Sequence, residues 1–251
     1  MIHQQRRRAP DDTAAAPTML VHNRMTLALH DLGSGLLGDG PSAQLLLLHG
    51  LGETSTSTML PGLAAAHWNG PIFGLDFSGH GASGRSVGGG YSSEDLMADV
   101  DVALAHLGPC TIVGRGLGAY VALLIAGARP KLVRGALLTD GPGLAGGPTR
   151  PTSLSIPIAE PPTAPEHPDP WVLLELSCDL RPADYAMTLL RQAIILSGLD
   201  TAIAVSARSL PPWLNAVAND PSVLQTDFAG GLASFRRSLD QSSDQPSRSA
   251  R

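Results

Sequence analysis

The sequence predicts an α/β fold, a three-layer sandwich in which helices cover both faces of a mostly parallel sheet. Two observations carry this. Apolar runs at 44–49, 71–76, 110–113 and 133–140 have the continuous pattern of parallel strands buried on both faces, and they alternate with segments of helical character. The third run, Cys110–Val113, passes through a glycine hinge, Gly114–Gly118, into the helix formers Ala119–Ala128, so the chain must turn sharply there. With 251 residues, 43% of them hydrophobic, the chain can bury a full core.

Taken in order, Thr18–Val21 and Met25–Leu29 alternate in polarity and suit an edge hairpin turning at His22–Arg24. A Gly/Ser/Pro loop at 33–43 leads into the run 44–49, which ends at Gly50–Glu53, and residues 54–67 hold a weak helical pattern. The run 71–76 finishes in the glycine-rich turn Phe77–Gly90. Ser92–Leu107 is an amphipathic helix: Ser92 and Ser93 are cap candidates, Glu94 and Asp95 lie in the first turn, and Leu96, Val100, Ala103, Leu104 and Leu107 share a face. From Gly141 to Pro170 the chain is dense in proline and glycine, a length that points to a lid or cap, assigned to 141–200 after the sixth strand. Helices are expected at Trp171–Ser177, Pro182–Leu196, Pro211–Ala218 and Ala229–Leu239, and strands at Asp200–Val205 and Ser222–Thr226. One domain spans 18–240, and 1–17 and 241–251 are expected as disordered tails because they lack apolar periodicity.

Bulk properties exclude several function classes. A net charge of −5 spread along the chain offers no basic face to nucleic acid, and Arg6–Arg8 reads as a solvated tail. No stretch has the length of a membrane helix and the N-terminus lacks a signal-peptide core, so a cytoplasmic protein without membrane association is expected. Cys110 and Cys178, the only cysteines, form no C-x-x-C pair and read as reduced thiols. No metal and no cofactor are expected.

Three turns carry the chemistry. His49-Gly50-Leu51-Gly52 follows the third strand, Asp76-Phe77-Ser78-Gly79-His80-Gly81-Ala82-Ser83 the fourth, and Gly114-Arg115-Gly116-Leu117-Gly118 the fifth. In order, placement and spacing they resemble the H-G-x-G turn, the D-x-x-G-x-G-x-S turn and the nucleophile elbow of the α/β-hydrolase fold, over roughly residues 18–240. That resemblance implies an α/β-hydrolase sheet and an oxyanion hole built with backbone N–H groups of the H-G-x-G turn.

The catalytic positions depart from the family's pattern. Gly116 stands at the centre of the elbow, and with no side chain it cannot attack a carbonyl. The family's histidine follows the last strand, yet no histidine occurs after His167, and the last-strand turn reads Thr226–Gly231. Ser206–Ser209 occupies the turn where the usual acid lies, which leaves Asp140 as a candidate residual acid. The expected site is therefore a degenerate triad, with His49, Gly50, Leu51, Gly52, His80, Arg115 and Leu117 lining the pocket as the remnant of the oxyanion hole. Read from their positions, His49 and His80 order their turns, and Asp140 caps the loop after its strand. Arg115 either holds an anionic ligand or forms a surface ion pair, and His167 is solvated unless a lid carries it inward. The N-myc downstream-regulated family, an α/β-hydrolase fold with a glycine-type elbow and no working triad, is similar in its Gly-x-Gly followed by Ala119-Tyr120.

The expected function is non-catalytic binding of a small apolar or acyl ligand, or an interaction with a protein partner. Two alternatives stand beside it. One is an ester or acyl hydrolase that recruits Ser78 or Ser83. The other is a dinucleotide-binding module, because Gly114–Ala119 satisfies G-x-G-x-x-A with Asp140 near the place of a ribose-binding acid, although two strand–turn–helix units precede it.

Overall fold

The computed structural model describes residues 16–22, 24–34, 44–55, 68, 70–147 and 167–243, with side chains as far as 236. Its strands are β1 (Thr18–His22), β2 (Met25–Ser34), β3 (Gln44–Leu48), β4 (Pro71–Leu75), β5 (Cys110–Arg115), β6 (Val133–Thr139), β7 (Ile203–Ser206) and β8 (Leu224–Gln225). They form one sheet in the order β1-β2-β4-β3-β5-β6-β7-β8. The hairpin β1–β2 pairs antiparallel with itself and with β4, and every other pairing is parallel. The described helices are α1 (Ser93–Leu107), α2 (Leu117–Ala128), α3 (Pro170–Cys178), α4 (Ala183–Ser197), α5 (Pro212–Ala218) and α6 (Phe228–Ser243).

The unbroken leucine run of β3 follows from burial on both faces. Successive side chains of a strand point to opposite sides. Leu46 and Leu48 accordingly join the core beneath α1 and α2, whereas Leu45 and Leu47 join the core that holds Leu232 and Phe235 of α6. In α1 the Ser92 hydroxyl accepts the Asp95 N–H at 3.1 Å, and Gly108, at φ 83°, ends the helix. Leu96, Val100, Ala103 and Leu104 are buried as the pattern predicts; Asp99 is buried with them, because it accepts the Ser78 N–H at 2.9 Å and meets His22 at 2.8 Å.

Parts of the expected lid segment, 141–200, have other positions. Helix α4 lies in the helical layer against α2, so closely that a methyl group on Gly127 would fall 2.5 Å from the Leu189 carbonyl oxygen. Residues 148–166 lie outside the described residues, as does most of the weak helix at 54–67. Helix α6 runs to Ser243, three residues into the segment expected as the C-terminal tail.

The pairings Leu48 with Gly114 and Arg115 with Thr139 set the carboxyl ends of β3, β5 and β6 side by side. The loops that leave them, at 50–53, 116–118 and 140–143, therefore converge, at the edge where sheets of this class bind ligands.

Candidate functional site

The hinge is built as an elbow. Gly116 has φ 58° and ψ −118° and serves as the N-cap of α2. A side chain here meets two obstacles. The backbone angles are costly for any residue with a Cβ, and that Cβ would collide with the Pro142 carbonyl oxygen while lying 2.6 Å from the Gly141 carbonyl carbon. Gly118 is constrained as well, since a Cβ on it would fall 2.7 Å from the His49 carbonyl oxygen.

In a hydrolase of this fold, the N–H after the nucleophile and an N–H from the β3 loop converge on the substrate oxygen. Here the corresponding groups are Leu117 N–H and Leu51 N–H, and both donate to the Pro142 carbonyl, at 2.9 and 3.1 Å. The chain thus supplies its own oxygen to the pair of donors. The neighbouring amides at the start of α2 are also engaged: Gly116 N–H with Thr139, Gly118 N–H with His49 and Ala119 N–H with Gly116. A pyrophosphate needs free N–H groups at the helix start. These partners leave the dinucleotide alternative without its binding element.

His49 and His80 are wholly buried between the turns. Nε2 of His49 accepts the Phe77 N–H, and Nε2 of His80 accepts the Gly52 N–H, both at 3.1 Å. Each ring therefore carries its proton on Nδ1, which donates to the Gly50 carbonyl at 2.8 Å and the Ser78 carbonyl at 3.2 Å respectively. Burial lowers the pKa of His49 against the opposing pull of the Gly50 carbonyl, Asp76 and Glu53. For His80, burial and then the neighbouring His49, at 4.8 Å between ring centres, bring it down to about 3. Both lone pairs are in use and both rings stay neutral, so the two histidines tie the turns together through these hydrogen bonds.

The Asp76 turn is similarly closed. Burial would raise the Asp76 pKa, but hydrogen bonds from the Ser55 hydroxyl and N–H, the Ala82 N–H and His30 hold it below the usual carboxylate range. Ser83 donates its hydroxyl to the Asp76 carbonyl at 2.5 Å and accepts the Ala28 N–H at 2.9 Å. Ser78 is 1% exposed, and its hydroxyl has no histidine partner among the described residues. Neither serine sits in a nucleophile arrangement.

Asp140 has the capping role: its carboxylate accepts the N–H groups of Arg208 and Ser209, at 2.7 and 3.0 Å, and so ties down the loop after β7. Arg115 forms an ion pair with Glu53 at 3.0 Å and donates to the Asp140 carbonyl at 2.8 Å. Glu53 in turn accepts the Gly50 N–H at 3.0 Å, so the guanidinium braces two of the converging loops instead of facing an open anion site. His167 is exposed.

Sequence reasoning missed the groups that close the site. Segment 141–147 lies directly on the hinge, where a Cβ on Gly143 would fall 2.6 Å from Leu51 Cβ. Arg181 Nη1 donates to the Gly143 carbonyl and, at 2.8 Å, to the Leu144 carbonyl, which also accepts Trp213 Nε1–H at 2.9 Å. Gly147 N–H donates to the Asp179 carbonyl at 2.7 Å. The only local signal was the density of glycine between 141 and 147. Acidic side chains of 169–179 fasten this side to the core: Asp169 accepts the Tyr91 hydroxyl at 3.0 Å, Glu175 accepts the Gly90 and Tyr91 N–H groups, and Asp179 accepts the Ser93 hydroxyl.

Among the described residues, no group of three metal-ligating side chains is placed to hold an ion, and no helix is long and apolar enough to cross a membrane. A family model described as serine aminopeptidase, S33, matches residues 39–159. Among solved structures, the chain is similar to a hypothetical protein from Pseudomonas aeruginosa PAO1, with 18% identity, a TM-score of 0.60, and 91% of this chain and 100% of that chain covered. It is similar to a thioesterase domain from the curacin biosynthetic pathway, with 14% identity, a TM-score of 0.59, and 90% and 98% covered. A membrane phospholipase A, a bacterial virulence factor, shows 16% identity and a TM-score of 0.52, with 92% and 88% covered. At these identities the likeness is one of fold.

Proposed function

Since this chain belongs to the α/β-hydrolase superfamily, we propose that it is a non-catalytic member whose catalytic edge has become a binding surface for a small apolar or acyl ligand. The observation that carries the reading is the Pro142 carbonyl, which takes both N–H groups of Leu51 and Leu117 beside an elbow that holds only a hydrogen atom. Loss of one oxyanion donor costs a hydrolase about 10²–10³ in turnover. Here both donors are spent before a substrate arrives. Loss of the nucleophile and base removes a further about 10⁴–10⁶. The glycine elbow, the engaged lone pairs of His49 and His80, and the capping role of Asp140 all support the same reading.

The test is a fluorophosphonate probe on the full chain, together with turnover of short acyl esters and thioesters. No labelling and no turnover above background is the expected result. Saturable labelling of a single serine would overturn the proposal and favour the hydrolase alternative. In that event Ser78→Ala and Ser83→Ala separate the two candidates by which one abolishes labelling.

A further inference from the structure

We propose that the free edge of Arg181, together with the Tyr120 hydroxyl, is the receptor for the carboxylate of an apolar monocarboxylic acid. The inference rests on the reading of this chain as a binding protein and names its ligand class.

Arg181 is 2% exposed and Tyr120 1%. Both N–H groups of Arg181 Nη1 are spent on the Gly143 and Leu144 carbonyls, but among the described residues Nε and Nη2 have no hydrogen-bond partner, and neither has the Tyr120 hydroxyl. The guanidinium lies over the Tyr120 ring, 4.9 Å from its centre, so the two side chains that carry the unpartnered donors are packed on each other. Buried donors are nearly always paired, and unpaired N–H groups on a buried cation are the costliest kind to leave. Arg181 has no ion-pair partner among the described side chains.

The identity of the free atoms selects the ligand. Nε–H and Nη2–H lie side by side in the guanidinium plane, and their spacing matches the two oxygens of a carboxylate in a bidentate pair. One cation faces this spot, while Asp179 and Glu94 act on the same groups, so a monoanion is favoured over a phosphate dianion. The surroundings are apolar: Leu144 is buried, and Trp213 meets the Tyr120 ring edge-on at 5.0 Å. A hydrocarbon tail suits these walls. Gly146 roofs the fork, since a Cβ there would fall 2.9 Å from Nε.

The experiment compares hexanoate with its neutral isostere hexanamide in thermal unfolding of the full chain at constant ionic strength, because a ligand that binds only the native state raises the midpoint. Hexanoate should raise the midpoint saturably and hexanamide should not. Arg181→Lys keeps the charge but loses the planar fork, and its affinity for hexanoate should fall at least tenfold; Tyr120→Phe should weaken it several-fold. An equal shift by hexanamide, no shift by hexanoate, or unchanged affinity in Arg181→Lys would each overturn the proposal. Should Arg181→Lys fail to fold, the hexanoate–hexanamide contrast and Tyr120→Phe still decide. Fluorophosphonate labelling, by contrast, bears only on the absence of catalysis, and binding of hexanamide would leave an apolar-ligand protein while removing the fork.

Discussion

Gly116→Ser is the most direct perturbation of the site, because it restores the family's side chain to a place the chain has filled. Two costs follow from the geometry. A residue with a Cβ at φ 58° and ψ −118° carries strain of about 1–3 kcal/mol. The Cβ also displaces the Pro142 carbonyl, which leaves Leu51 N–H and Leu117 N–H without their acceptor, at about 1–3 kcal/mol for each donor that stays buried. Strain plus one stranded donor already amounts to about 2–6 kcal/mol, a large part of the about 5–15 kcal/mol that holds a typical domain folded. Urea unfolding of Gly116→Ser, Gly116→Ala and the wild type measures the loss, and amide hydrogen exchange reads Leu51 and Leu117 individually. Both variants should be destabilised alike, since the collision belongs to the Cβ, and both amides should exchange faster. Ester turnover should stay absent, because neither His49 nor His80 has a lone pair to spare. A Gly116→Ser protein within about 0.5 kcal/mol of wild type, with both amides still protected, would refute the assignment of Pro142 as their acceptor.

Stability should also fall with pH through the histidines. Folded His80 stays neutral down to about 3, whereas the unfolded chain takes up its proton near the ordinary value of 6.5, so acidification favours unfolding throughout that window. From pH 7.5 to 5 the loss should be about 2 kcal/mol for His80, with His49 acting in the same direction, and urea midpoints should show a flatter pH slope in His80→Gln; an unchanged slope would contradict this. Asp140→Ala should cost about 1–2 kcal/mol by freeing the Arg208 and Ser209 N–H groups, with no effect on hexanoate binding; a lost ligand response with unchanged stability would instead place Asp140 at the ligand.

Much of the architecture could be read locally. The Leu45–Leu48 run, the Ser92 cap and the apolar face of α1 each express a period or a turn chemistry within a few residues, and the structure places them as those patterns require. Boundaries shifted where tertiary contacts outweighed local preference: the last strand shortened to Leu224–Gln225, and α6 lengthened to Ser243. Arg115 carried two readings in the sequence, and the ion pair it forms lies with Glu53, sixty-two residues away. Asp99 was invisible as a buried acid, because its partners His22 and Ser78 lie on other elements.

By itself the sequence determined which elements form, their order along the chain, and the two facts from which the proposed non-catalytic reading starts: a glycine at the elbow and no histidine between residue 167 and residue 251. Tertiary structure alone decided what meets the N–H groups beside the elbow. Pro142 has no side-chain chemistry of its own, and its carbonyl becomes an acceptor for Leu51 and Leu117 only because β3, β5 and β6 are neighbours in the sheet. Arg181 likewise reads as an ordinary arginine until folding buries it over Tyr120 with one edge unpaired among the described residues. Hydrophobic period and turn preference are properties of adjacent residues, whereas a hydrogen bond across ninety positions depends on sheet order and on how the remaining loops close over it.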